Sequence, residues 1–119
     1  MPSGNLTYRR GEIRWVRLNP TVGAEIQKTG SCLIVQNDIM NQYGLLTVVI
    51  PFRPGSKQAP YVVNVKATQK NGLDKDRFLD VAQIRAVDGQ RVLRYLGVLE
   101  EHYWQQIRVA LDIVLGFAP

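Results

Sequence analysis

"EEHYWQQIRVALDIVLGF", residues 100–117, is where the apolar period of the chain changes. Tyr103, Ile107, Ala110, Leu111 and Val114 stand at i, i+4, i+7, i+8 and i+11, the stripe of a helix that buries one face. Glu100 and Glu101 fall in its first turn, where the helix dipole favours negative charge. The rest of the chain has strand periods. "GEIRWVRL" (11–18) alternates as a half-buried strand does. "SCLIVQ" (31–36) and "LLTVVIPF" (45–52) are short continuous apolar runs, as in strands covered on both faces. "YVVNVKA" (61–67) alternates again, and "RFLDVAQIRAV" (77–87) reads as one or two strands broken near Ala82–Gln83. "DGQRVLRYLG" (88–97) is a turn plus a short element whose type the residues leave open. Several strands followed by one terminal helix predict a mainly β chain, a small barrel or coiled antiparallel sheet with the helix packed on it.

The connections carry turn chemistry. Residues 1–10 are short, polar and basic, expected to fray except near Tyr8 and Arg9. "NPTVGAEIQKTG" (19–30) has Asn-Pro, two glycines and no sustained period, so it reads as a long surface loop of a length that is often functional. "NDIMNQYG" (37–44) reads as a turn and "RPGSKQAP" (53–60) as a loop. "NGLDKD" (71–76) is a turn in which Asn-Gly permits positive φ.

At 119 residues the chain supports one domain, 1–119. Its formal charge of +5 favours an anionic partner, nucleic acid first and an acidic protein second. The single cysteine, Cys32, excludes an internal disulfide and points to a reducing compartment. Inside "SCLIV" it reads as a small buried hydrophobe. There is no signal-like opening and no apolar run near the ~20 residues that span a bilayer, so a cytoplasmic location and no membrane association are expected.

Most catalytic signatures are absent. There is no phosphate loop, no CxxC or HxxxH spacing, no GxSxG elbow, and no cofactor or metal is expected. With His102 as its lone histidine, the chain cannot run a two-histidine ribonuclease mechanism. Asp74, Asp76 and Asp80 read as solvated or capping residues around a turn. Glu25 differs in having two nearby donors, Lys28 and Thr29. The basic residues say more: Arg9, Arg10, Arg14 and Arg17 lead into and alternate with the first strand, Lys28 marks the long loop, and Arg53 and Lys57 follow "LLTVVIPF". Trp15, Tyr43, Phe52 and Tyr61 lie in the same neighbourhoods. Cations beside aromatic faces suit single-stranded nucleic acid, whose phosphates need charge and whose bases stack. Scattered arginines and core aromatics give the same pattern, so a barrel carrying no nucleic acid stays open on these residues alone.

"RGEIRWVRLNPTVGAEIQKTGSCLIVQND" (10–38) resembles the opening of MazF/PemK-type toxins, small ribonucleases of bacterial toxin–antitoxin pairs. Arg10–Gly11–Glu12, Pro20, Gly23, Glu25 and "CLIVQND" match the family pattern, and "GLDKDRFLDVAQIRAVDGQRV" (72–92) is similar to its second stretch, through Gln83–Ile84–Arg85 and Asp88. The resemblance covers nearly the whole chain. It implies an SH3-like barrel on a coiled sheet, a homodimer, metal-free cleavage of single-stranded mRNA at short sequences, and a cognate MazE-like antitoxin whose tail lies across the RNA groove. The implied reaction is attack of a ribose 2′-hydroxyl on its neighbouring phosphate. It needs proton transfer at both oxygens and positive charge on the phosphorane. The resemblance places RNA contacts at Lys28, Thr29, Arg14, Asn37, Lys57, Gln83 and Arg85, and catalysis around Glu25, Gly30 and Arg53.

Two of those positions depart from the family. Its catalytic Arg-Pro is here Gly30–Ser31, and its Ser or Thr after the third strand is Arg53. Glycine holds no charge and moves no proton. Three readings follow: Arg53 supplies the guanidinium from across the groove, with Lys28 or Glu25 assisting; the chain is a weakened homologue that still binds RNA and antitoxin; or Gly-Ser is an introduced, detoxifying change. A non-catalytic binding module of the same fold is the competing class.

Overall fold

The computed structural model describes residues 7–18 and 28–118. They form seven strands and two helices: β1 Glu12–Arg17, β2 Thr29–Ile34, α1 Asp38–Tyr43, β3 Leu46–Pro54, β4 Val62–Val65, β5 Arg77–Asp80, β6 Arg85–Asp88, β7 Val92–Val98 and α2 Trp104–Val114. The expected break near Ala82–Gln83 is a 3-10 turn, Val81–Gln83. The unassigned 88–97 element is a second such turn followed by β7.

Two local expectations are corrected. The 37–44 turn contains a helix, α1, whose six residues are too few to show a period. Its start is nonetheless written in the sequence, because Asn37 Oδ1 caps it by accepting from Met40 N–H at 2.9 Å. Behind α1 a buried amide network closes: Gln36 Nε2 donates to Asn41 Oδ1, which also accepts from Thr47 Oγ1. The second correction is the start of β2. The loop read over 19–30 gives its last two residues, Thr29 and Gly30, to the strand, where they pair with Arg17 and Val16. Residues 19–27 lie outside the described residues.

The sheet runs β4-β5-β3-β2-β1-β7, all neighbours antiparallel. Its outer strands, β4 and β7, form no ladder with each other, so it is a coiled open sheet and not a closed barrel. β5 and β6 both pair with β3, through Phe52↔Leu79 and Val49↔Arg85, with the 81–83 turn bulging between them.

One face carries the main core, where Ile13, Leu33, Ile50, Phe52 and Leu79 pack under Tyr103, Ile107 and Ala110 of the terminal segment. This is the stripe read from the sequence, except that the segment enters as a 3-10 turn, Glu101–Tyr103, so Glu100 and Glu101 precede α2 instead of filling its first turn. The other face has a smaller cluster, Val16, Cys32, Ile34, Val49 and Val87, covered by Tyr8 and Leu18.

Near its open side the sheet is held by a close backbone crossing. Gly72, at φ +70, and Gly97 pass each other so tightly that a Cβ on either would run into the opposing backbone. Asn71, fully buried, ties the crossing together. Its Oδ1 accepts from Thr68 and Leu73 N–H, and its Nδ2 donates to Lys66 O and Glu100 Oε1. Burial works against ionising Glu100. Hydrogen bonds donated by Thr68 Oγ1, the backbone and Asn71 outweigh it and hold the pKa below the ordinary 4.5. A depressed native pKa stabilises the fold at pH above 4.5, and the contribution is lost as pH falls through the lower native value. Thermal unfolding followed from pH 7 to 2 should therefore show an acid-limb loss that Glu100→Gln flattens. An unchanged acid limb in that variant would remove this role.

Candidate nucleic-acid interface

Residues directly opposite in an antiparallel ladder share a face. The pairs Val16↔Gly30, Arg14↔Cys32 and Cys32↔Pro51 therefore put Gly30, Cys32 and Pro51 on the smaller-core face. Alternation along β3 adds Arg53 to that face. The β2–β3 ladder stops at Cys32↔Pro51. Carried two residues along the same register, Gly30 stands level with Arg53. The two departures from the family pattern, 23 residues apart in sequence, thus lie toward the same end of one face.

Gly30 has an ordinary backbone for a strand, outside the positive-φ region, and a Cβ built on it meets nothing within 4 Å. A long side chain is admitted there. Arg53 is half exposed, and its Nη1 lies 3.5 Å from Asp80 Oδ2, a carboxylate that is itself largely buried. Asp80, expected to be solvated or capping, is instead an anchor on β5. The clue in sequence is its place two residues from Phe78 in an apolar strand, which puts it on the face of Arg53's cross-strand partner. Asp74 and Asp76 do behave as local residues, one paired with Arg77 and one accepting from Ala67 N–H.

Gln83 and Arg85 come together on the same edge of β3. Arg85 Nη2 donates to Gln83 Oε1 at 2.9 Å and its Nε to Gln83 O at 3.3 Å. Between this pair and β1 lies Cys32, whose thiol burial pushes up to about 12 against the lowering pull of Arg85. It is a packed, un-ionised sulfur, as the sequence indicated.

The remaining candidates are placed differently. Lys28 adopts φ 74 and its carbonyl accepts from Leu18 N–H at 3.1 Å, with Thr29 next to it at the start of β2. Both precede Gly30, Thr29 as its direct neighbour. Lys57 sits in the loop after β3, clasped through its backbone by Asn64, with its ammonium 5.3 Å from the Tyr61 ring. Arg14 shares the face of Gly30 but its guanidinium is turned to β7, donating to Leu93 O, Thr7 O and Glu12 Oε1. Asn37 caps α1 beyond the opposite end of β2, roughly 20 Å of strand away at ~3.3 Å per residue. Glu25 lies outside the described residues. His102 is exposed, with its ring 4.1 Å from that of Tyr103.

The arrangement offers cations, amide donors and an open position along one rim, groups able to stabilise negative charge. Among the described residues no three His, Cys, Asp or Glu side chains gather as a metal would require. Nor is any helix there long and apolar enough to cross a membrane.

Comparison with known proteins agrees with this reading of the fold. Residues 9–115 match the family described as PemK-like, MazF-like toxin of type II toxin–antitoxin system. The Staphylococcus epidermidis endoribonuclease MazF is 33% identical over 109 residues, covering 91% of each chain. The Bacillus subtilis endoribonuclease EndoA is 28% identical over 112 residues, covering 93% of this chain and 97% of its own. Among solved structures, MazF from Deinococcus radiodurans superposes with a TM-score of 0.78 at 20% identity, over 94% of this chain and 99% of that one. A mycobacterial endoribonuclease in complex with its cognate antitoxin gives 0.76 at 18% identity, over 95% and 99%. With nearly its whole length matched by sequence and by fold, the chain belongs to the PemK-like, MazF-like toxins of type II toxin–antitoxin systems, whose relatives named here are endoribonucleases.

Proposed function

We propose that this chain is a cytoplasmic toxin that holds single-stranded RNA across the Gly30–Arg53 rim and cleaves it weakly, because the position that should carry a guanidinium carries none. The observation behind this is the juxtaposition of Gly30 and Arg53 on one face, beside Lys28 and Thr29. In the reaction, the 2′-oxygen forms a bond to the adjacent phosphorus as the bond from phosphorus to the 5′-oxygen breaks. One proton leaves the 2′-hydroxyl, another reaches the departing 5′-oxygen, and the phosphorane between them gains negative charge. Arg53, steadied by Asp80, supplies positive charge from the β3 side. Position 30 on the β2 side supplies only backbone. Preorganised donors count most where charge develops, so one missing guanidinium weakens the chemical step more than RNA binding.

The test is cleavage of a long single-stranded RNA by the chain as it stands and by Gly30→Arg. Weak or absent cleavage that rises sharply in the variant supports the reading. Neither protein cutting or binding RNA would favour the competing class, a binding module of the same fold that takes an antitoxin or another protein.

The partner surfaces follow from charge and exposure. An acidic antitoxin segment would complement the basic rim, and a mycobacterial endoribonuclease of the same fold is solved in complex with its cognate antitoxin. Self-association is supported by a run of exposed apolar residues on α1 and the start of β3: Ile39 (73% exposed), Met40, Tyr43, Leu45 (83%) and Leu46. A monomer rarely leaves such a run open to water, and a second copy is the occupant we assign to it. Sedimentation should give a dimer, and Leu45→Arg, which disturbs no packed core residue, should give a monomer. A native chain that sediments as a monomer would remove this assignment.

A further inference from the structure

The β1–β7 ladder is irregular at one point. Arg14 pairs with Tyr95 and Val16 with Val92, so Trp15 faces two residues, Leu93 and Arg94, across a bulge. On its other edge Trp15 pairs with Ser31, the chain neighbour of Gly30. Bulges beside functional sites re-aim side chains, and this one brings Arg94 to the same opening as Trp15. Trp15, Ser31 and Arg94 line a half-open cavity of about 210 Å³, closed on its far side by Gly72, Asp74 and Arg77.

The lining is unlike a leftover crevice. Trp15 is 38% exposed, and no cation or second ring is stacked on it among the described residues. Arg77 is neutralised in place, its Nε and Nη2 donating to the two carboxylate oxygens of Asp74 at 3.0 and 3.3 Å. Arg94 makes no ion pair among the described residues, which leaves it as the uncompensated cation of the cavity. The volume is below the ~300–1,000 Å³ of a drug-sized site. It suits one flat ring system with a charged group left outside.

Resting on the single-stranded RNA reading above, we propose that this cavity, on the opposite face of the sheet from Gly30 and Arg53, is a nucleobase subsite for RNA that continues past their rim. The base lies on the indole of Trp15. The Ser31 hydroxyl and the Asp74 carboxylate on the walls accept hydrogen bonds from its amino or imino groups. The phosphate that leaves the cavity meets Arg94. An acidic peptide would find Asp74 on the wall against it, whereas a base uses both acceptor and cation.

The chain has two tryptophans, so a Trp104→Phe variant makes Trp15 the sole tryptophan emitter under selective excitation. It is titrated with a mixed-sequence 2′-O-methyl RNA oligomer, which cannot be cleaved, and with an abasic oligomer of the same length and charge. The base-bearing oligomer should quench Trp15 and the abasic one should bind without quenching. Trp15→Leu should weaken the base-bearing oligomer about tenfold and the abasic one by under about twofold, since one base–aromatic stack is worth that much. Trp15→Phe should restore most of the loss, which separates stacking from damage to the fold. Arg94→Gln should weaken both oligomers alike. Equal weakening of both oligomers by Trp15→Leu, or no quenching by bound RNA, would overturn the subsite and leave the RNA reading standing. No binding of either oligomer would overturn both.

Discussion

Gly30→Arg is expected to raise single-turnover RNA cleavage by about 10²–10³-fold, the range that one preorganised donor to a developing oxyanion contributes. The backbone permits it. Gly30 sits in β2 opposite Val16 with no positive φ and with free space where the Cβ would go. The new guanidinium would project from the face that carries Arg53, and a phosphate between the two cations offsets their repulsion. Because the charge it serves develops in the transition state, the gain should appear in kcat with little change in KM. Gly30→Lys should gain less, because an ammonium is a point charge without the planar fork that matches two phosphoryl oxygens. Gly30→Ala, which adds no charge, should leave the rate where it was. Equal rates for the native chain and Gly30→Arg would show that position 30 is not the missing catalytic element.

How much of this was legible beforehand depended on the range of the signal. The terminal helical segment could be read because Tyr103, Ile107 and Ala110 repeat over about two turns and all three are buried. The strands could be read from their apolar runs, even where their ends moved by one or two residues. α1 could not, since six residues show no period and only the Asn37 cap marks it. The site was legible in part. The resemblance singled out Gly30 and Arg53, but not that one face holds them level. That follows from ladder register, a pairing between distant segments that local pattern does not encode. Asp80 was hidden for the same reason: its partner lies one strand over and 27 residues earlier in the chain. Arg14 went the other way. It looked like a groove cation in an alternating strand, and Leu93 and Glu12 claim its donors.

Arg53→Ala is expected to lower the residual cleavage of the native chain by at least about tenfold, with the larger part of the loss in the chemical step. Its half exposure keeps the figure below that of a fully enclosed donor. Part of the effect is binding: removing one phosphate contact should reduce the salt dependence of log K for single-stranded RNA by ~0.7 in slope. A loss of activity could also come from the fold, because Asp80 would be left largely buried without its cation. Asp80→Asn separates the two causes. It removes the tether and leaves the guanidinium, so it should cost less activity than Arg53→Ala does, while thermal unfolding reports any stability lost by either variant. The decisive comparison is the double variant. If Arg53 stands in for the absent arginine, Gly30→Arg makes it largely dispensable, and Arg53→Ala in that background should cost far less than in the native chain. Such non-additivity is what two groups serving the same charge produce. Equal losses in both backgrounds would mean that Arg53 holds RNA in its own right and replaces nothing.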